Sequence, residues 1–90
     1  MASSRVLVVE DDPSVRGLLQ TILEDEALEV ILAADGEEGL RLARTVDPDV
    51  VLLDVMMPGL GGPDVIRRLR RADGSLPFAV LVVTGAAEVI

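Results

Sequence analysis

Two acidic positions stand out because each closes an apolar run: Glu10-Asp11-Asp12 follows Val6-Leu7-Val8-Val9, and Asp54 follows Val50-Val51-Leu52-Leu53. Runs of this kind read as strands. If the two strands are neighbours, their ends lie roughly 5 Å apart. Asp11 and Asp54 would then converge on one point, with Glu10 nearby. Carboxylates that close cannot all stay ionised without a positive partner. The chain has no Lys and no His to supply one. A hard divalent cation is the natural answer, and Mg²⁺ takes one or two carboxylates plus water and phosphate oxygens.

Plainer readings exist for each residue. Asp12 precedes Pro13 and is better read as a helix cap than as a ligand. Asp54 alone could be a mere strand terminator. Its pairing with Asp11, and the Met57-Pro58-Gly59 turn after it, favour a functional role. A third run, Val80-Leu81-Val82-Val83, closes in Thr84-Gly85. Thr84 is evenly balanced between a site residue and an ordinary β-branched strand residue. For Met56 and Met57, ordinary packing is the better reading.

Positioning these residues requires alternating strands and helices. The apolar runs are continuous rather than alternating, as expected of parallel strands buried on both faces. Val30-Ile31-Leu32-Ala33-Ala34 is a weaker fourth run, and Glu29 beside it suggests a sheet edge. Asp12-Pro13 starts a helix whose stripe is Val15, Leu18, Leu19, Ile22 and Leu23. Asp35 and Glu38 resemble a capping box before a second helix with Leu40 and Ala43 inward. Gly62-Pro63 opens a third helix with Val65, Ile66 and Leu69 inward and Arg67, Arg68, Arg70 and Arg71 outward, ended by Asp73-Gly74. The order β-α-β-α-β-α-β predicts a doubly wound parallel sheet, with ligands bound beyond the carboxyl ends of its strands.

Composition narrows the function classes. Ninety residues make one small domain, and half of them are apolar with Phe78 the sole aromatic, so the core must be aliphatic. The absence of Cys and His excludes disulfides, thiol nucleophiles and His-based chemistry. A net charge of −8 argues against nucleic-acid or anionic-membrane binding. No signal peptide or membrane-length apolar segment is visible, so a cytoplasmic protein is expected.

The blocks Val6–Pro13, Pro48–Gly59 and Val80–Gly85, with their spacing, resemble bacterial two-component response-regulator receiver domains. Ala34-Asp35-Gly36-Glu37-Glu38-Gly39-Leu40 resembles the family's usual start of the second helix. The resemblance covers essentially the whole chain, and the combination of blocks is specific where no single one is. It implies a flavodoxin-like fold in which residues 1–90 supply four of the usual five strands, in order 2-1-3-4, and the start of a fourth helix. It implies a phosphorelay switch rather than a turnover enzyme, although family members catalyse their own phosphorylation and dephosphorylation. Asp54 would accept a phosphoryl group from a sensor histidine kinase. Asp11 would bind Mg²⁺ directly, Glu10 through water, and Met56 through its backbone carbonyl. Thr84 would hydrogen-bond a phosphoryl oxygen.

The sequence departs from the family pattern at its C-terminal end. A family lysine that contacts the phosphoryl group has no counterpart, and strand five and helix five are absent from the 90 residues. The expected consequences are an unprotected strand-four edge, prone to self-association, and an incompletely covered sheet face. An interaction or structural fragment without efficient phosphotransfer is therefore the competing reading. A Mg²⁺ phosphohydrolase would want Asp-x-Asp after the first strand, which Glu10-Asp11-Asp12 does not supply. A P-loop needs a lysine.

Overall fold

The computed structural model describes residues 4–83. Its elements are β1 (Arg5–Val9), α1 (Pro13–Asp25), β2 (Glu29–Ala33), α2 (Gly36–Thr45), β3 (Val50–Asp54), α3 (Gly62–Leu69) and β4 (Ala79–Val83). The four strands form one parallel sheet in the order β2-β1-β3-β4. This is the expected doubly wound arrangement, with β1 and β3 at the centre. The expected start of a fourth helix lies outside the described residues.

Side chains on a strand point alternately to the two faces of the sheet. Leu7, Val9, Val51 and Leu53 face α2 and α3, where they pack with Leu40, Ala43, Val65 and Leu69 into one aliphatic core. Val6 and Val8 are also buried but point to the other face, which α1 covers by lying on β1 and β2.

That second face is incompletely covered, as expected. None of the residues of α1 is buried. Leu19 and Leu23 are half-buried, while Leu18 is 60% and Ile22 51% exposed. A single helix meets the sheet along one edge of its stripe only. Similarly, β4 has a fully apolar sequence yet is mostly exposed, with Leu81 at 57%. Among the described residues only β3 pairs with it, so its continuous apolar run does not mark burial on both faces.

The helix starts follow their signals. Asp12 Oδ1 accepts from the backbone N–H of Ser14 at 2.8 Å and of Val15 at 3.3 Å, with Pro13 in the first turn. Asp35 Oδ1 accepts from Glu38 N at 2.8 Å, while Glu38 Oε1 accepts from Ala34 N at 2.7 Å. The reciprocal pairing of a capping box is present, displaced by one residue on its return bond.

The helix ends follow less closely. α1 closes in a Schellman turn, with Ala27 N donating to Glu24 O at 3.0 Å and Leu28 N to Leu23 O at 3.4 Å. Ala27 occupies the left-handed position at φ 61°, where glycine is usual. α3 stops at Leu69, before the expected Asp73-Gly74. Arg71 N donates instead to Ser75 O at 2.8 Å, and Arg70 Nη1 to Gly74 O at 2.6 Å. Those bonds hold a turn that takes Arg70 and Arg71 out of the helix.

Candidate metal and phosphoacceptor site

The carboxyl ends of β1 and β3 lie side by side, because Val9 is paired with Leu53 in the parallel register. One residue beyond this pair sit Glu10 and Asp54, with Asp11 following. Carboxylate oxygens of Glu10, Asp11 and Asp54 all lie within 4.8 Å of one another. Glu10 and Asp54 are buried, at 6% and 8% exposure. Asp11 is more open to solvent. A cleft of about 310 Å³ above them is lined by Glu10, Asp11, Asp12, Val15, Asp54, Met56 and Val83. A larger cleft of about 430 Å³ between α3 and β4 is lined by Leu53, Val55, Gly62, Pro63, Ile66, Arg67, Arg70 and Val82. It holds no carboxylate, so the chemistry belongs to the smaller, acidic one.

Each acid is held in its own way. Asp54 is the last residue of β3, and its Oδ1 accepts from Met56 N at 3.0 Å. The β3–β4 ladder continues past it, with Val55 N donating to Val83 O at 3.0 Å. Gly62, in the first turn of α3, lies against the backbone at the end of β3: a Cβ there would sit 3.2 Å from Asp54 O and 3.1 Å from Val55 Cα. Glu10 N donates to Ala33 O at 3.1 Å, and Glu10 Oε2 accepts from Asp12 N at 3.1 Å.

Burial pushes the Glu10 carboxyl above its usual range, opposed by the Asp12 N–H and reinforced by the Asp54 charge. None of the salt bridges among the described residues involves the three acids. Three carboxylates, two of them buried, form a hard oxygen donor set that suits a divalent cation and leaves room for water or a phosphoryl oxygen.

The structure thus brings Glu10, Asp11 and Asp54 together. Asp12 caps α1. Met57 is buried in the core, as a packing role requires, but Met56 is 67% exposed and does not pack. The reason is local: Met56 lies in the β3–α3 loop at the rim of the acidic cleft. Thr84 lies outside the described residues.

Arg16 was not apparent as a site residue from the sequence. Its Nη1 donates to the backbone carbonyls of Glu10 at 2.8 Å and Asp11 at 3.4 Å. The signal that finds it is its place four residues after the Asp12 cap. Helical side chains lean toward the N-terminus, so this one reaches back over the loop.

A family model described as the response regulator receiver domain matches residues 6–90. The DNA-binding response regulator MtrA of Mycolicibacterium smegmatis is 41% identical over 87 residues, which cover 96% of this chain and 38% of that protein. The alkaline phosphatase synthesis transcriptional regulatory protein PhoP of Bacillus subtilis is 43% identical over 86 residues, covering 96% of this chain and 35% of that protein. The chain therefore spans a little over a third of the length of these relatives. Among solved structures, chemotaxis response regulator CheY4 of Vibrio cholerae matches with TM-score 0.82 and 32% identity, over 90% of this chain and 68% of that one. The Francisella response regulator 1452 receiver domain matches with TM-score 0.81 and 32% identity, over 91% of this chain and 66% of that one.

Proposed function

Since the chain belongs to the response-regulator receiver family, we propose that it is a phosphoacceptor module whose Asp54 takes a phosphoryl group from a sensor histidine kinase. The observation that carries this reading is the meeting of three carboxylates within 4.8 Å at the end of β3. Asp11, Asp54 and the Met56 carbonyl would hold Mg²⁺ directly and Glu10 through water, and Thr84 would hydrogen-bond a phosphoryl oxygen. When bound, the cation neutralises the oxygens of the transferring phosphoryl group. Asp54 attacks phosphorus; its O–P bond forms as the donor's N–P bond breaks, and the electron pair stays on the imidazole nitrogen. The Met56 N–H fixes one Asp54 oxygen, so the acceptor is aimed before the donor arrives. The aspartyl phosphate carries roughly −1.5 to −2 charges where the carboxylate carried one, a net gain of about −0.5 to −1.

In this reading the chain is a cytoplasmic switch and not a turnover enzyme. No helix among the described residues is long and apolar enough to cross a membrane. Its net charge of −8 disfavours nucleic acid as a direct ligand of this domain. The 90-residue chain by itself self-associates through β4, whose outer edge is apolar and exposed. Size-exclusion with light scattering at micromolar concentrations should show more than the monomer mass, and a stable monomer rejects that part.

Treatment with acetyl phosphate and Mg²⁺, followed by intact-mass spectrometry, tests the main claim. One phosphoryl group should appear, dependent on Mg²⁺ and absent from Asp54→Asn. Cation binding with no adduct would instead leave the interaction-only role.

A further inference from the structure

We propose that Arg16 is a positioning residue that makes the acidic site selective for Mg²⁺ over larger divalent cations. The inference rests on the metal-binding reading above and extends it to a residue that touches no carboxylate among the described residues. Arg16 Nη1 lies 2.8 Å from Glu10 O and 3.4 Å from Asp11 O. Those two residues carry two of the three cluster carboxylates. Arg16 is itself half-buried and anchored, its backbone N donating to Asp12 O at 2.9 Å. The segment from Glu10 to Asp12 is therefore tied down at four points. Glu10 N is bonded to β2, the Glu10 carboxylate to Asp12 N, and the Glu10 and Asp11 carbonyls to one guanidinium nitrogen.

Asp54 is fixed independently by the β3 ladder, so the spacing between Asp11 and Asp54 depends on how firmly the 10–12 segment is held. Arg16 bridges the two consecutive carbonyls of that segment.

Cation selectivity follows from this restraint. Mg²⁺ demands near-ideal octahedral geometry at about 2.0–2.1 Å, whereas Ca²⁺ accepts irregular shells at about 2.3–2.6 Å. A loosened loop harms Mg²⁺ binding more. The guanidinium charge acts differently. It repels both ions alike, because both carry two charges. The ratio of the two affinities therefore isolates positioning from electrostatics.

Isothermal titration of the 90-residue chain with MgCl2 and with CaCl2 tests the proposal, on wild type, Arg16→Met, Arg16→Lys and Asp11→Asn. Far-UV circular dichroism establishes that each variant is folded. Arg16→Met should weaken Mg²⁺ more than Ca²⁺, so that the Mg²⁺/Ca²⁺ affinity ratio falls severalfold, within the roughly tenfold loss of affinity that removing an outer partner costs a metal site. Arg16→Lys, which keeps the charge but not the planar fork, should fall between it and wild type. A ratio unchanged in both Arg16 variants overturns the proposal while leaving the metal site standing, even if both affinities shift together. Wild type that binds neither ion, or binds them as well as Asp11→Asn does, overturns the metal reading and this inference with it.

Discussion

Replacing Asp54 with Asn should stabilise the cation-free protein and abolish its response to Mg²⁺. The carboxylate oxygens of Glu10, Asp11 and Asp54 lie within 4.8 Å of one another. Two unit charges at such a distance repel by about 3.5 kcal/mol at an effective dielectric near 20, and by about 0.9 kcal/mol in bulk water. The substitution removes two of the three pairs. Because Asp11 is open to solvent, the water-like value is the safer one, and it predicts a gain of about 2 kcal/mol near neutral pH. The Asn oxygen can still accept the Met56 N–H that Asp54 Oδ1 accepts at 3.0 Å. Charge is thus removed with little change in shape or hydrogen bonding. The chain has no Trp or Tyr, so urea unfolding is followed by far-UV circular dichroism, in chelator and in millimolar MgCl2. A gain of that size corresponds to a midpoint shift of about 1–2 M urea. Wild type should gain stability with Mg²⁺, and the variant should start higher and stay there. If the variant in chelator unfolds at lower urea than wild type, repulsion among the three acids is not what limits the cation-free fold, and the reasoning fails.

Glu10 has a folded-state pKa raised above 4.5, chiefly by burial. Folding therefore favours its protonated form, and its contribution is fully present below about 4.5 and lost as pH rises through the raised value. In chelator, the advantage of Glu10→Gln over wild type should accordingly develop in urea midpoints as pH rises from about 4.5 and reach its full size above the raised pKa. Ala27→Gly should raise stability by about 0.5–1 kcal/mol by relieving the left-handed backbone at φ 61°, as read from thermal or urea unfolding. Gly36→Ala should cost about 1–3 kcal/mol, because the new Cβ would lie 2.1 Å from Leu60 O. Gly17→Ala in α1, with nothing within 4 Å of its Cβ, should instead gain about 0.5–1 kcal/mol.

Strands and helix starts were legible in the sequence because their signals are local. The runs Val6–Val9 and Val50–Leu53 need only a glance at side-chain type, and Asp12-Pro13 carries its own cap. The convergence of Asp11 and Asp54 was legible too, given adjacent strands, since it requires only that parallel strands end together. What escaped depends on contacts distant in sequence or on side chains bonding the backbone. Nothing in the periodicity of Arg67–Arg71 marks the halt at Leu69, which the bonds among residues 70–75 impose. Nor does an apolar stripe say whether anything covers it: Leu18 and Ile22 fit the pattern of a buried face and yet face solvent. Met56 and Met57 are identical neighbours with opposite fates, decided by how the loop after β3 turns.

The Val55 N–H bond to Val83 O has a mechanical implication. Because the ladder runs one residue past it, Asp54 behaves as an interior rung and not as a fraying tip. The β1 ladder runs on only through the Glu10 N–H to Ala33 O, and Asp11 lies beyond it. Any adjustment that accompanies ion capture must then fall on the segment before α1, which closes down upon a stationary anvil. Amide hydrogen exchange would register the asymmetry, with Val55 slow whether or not an ion is present and Asp11 gaining protection only in its company.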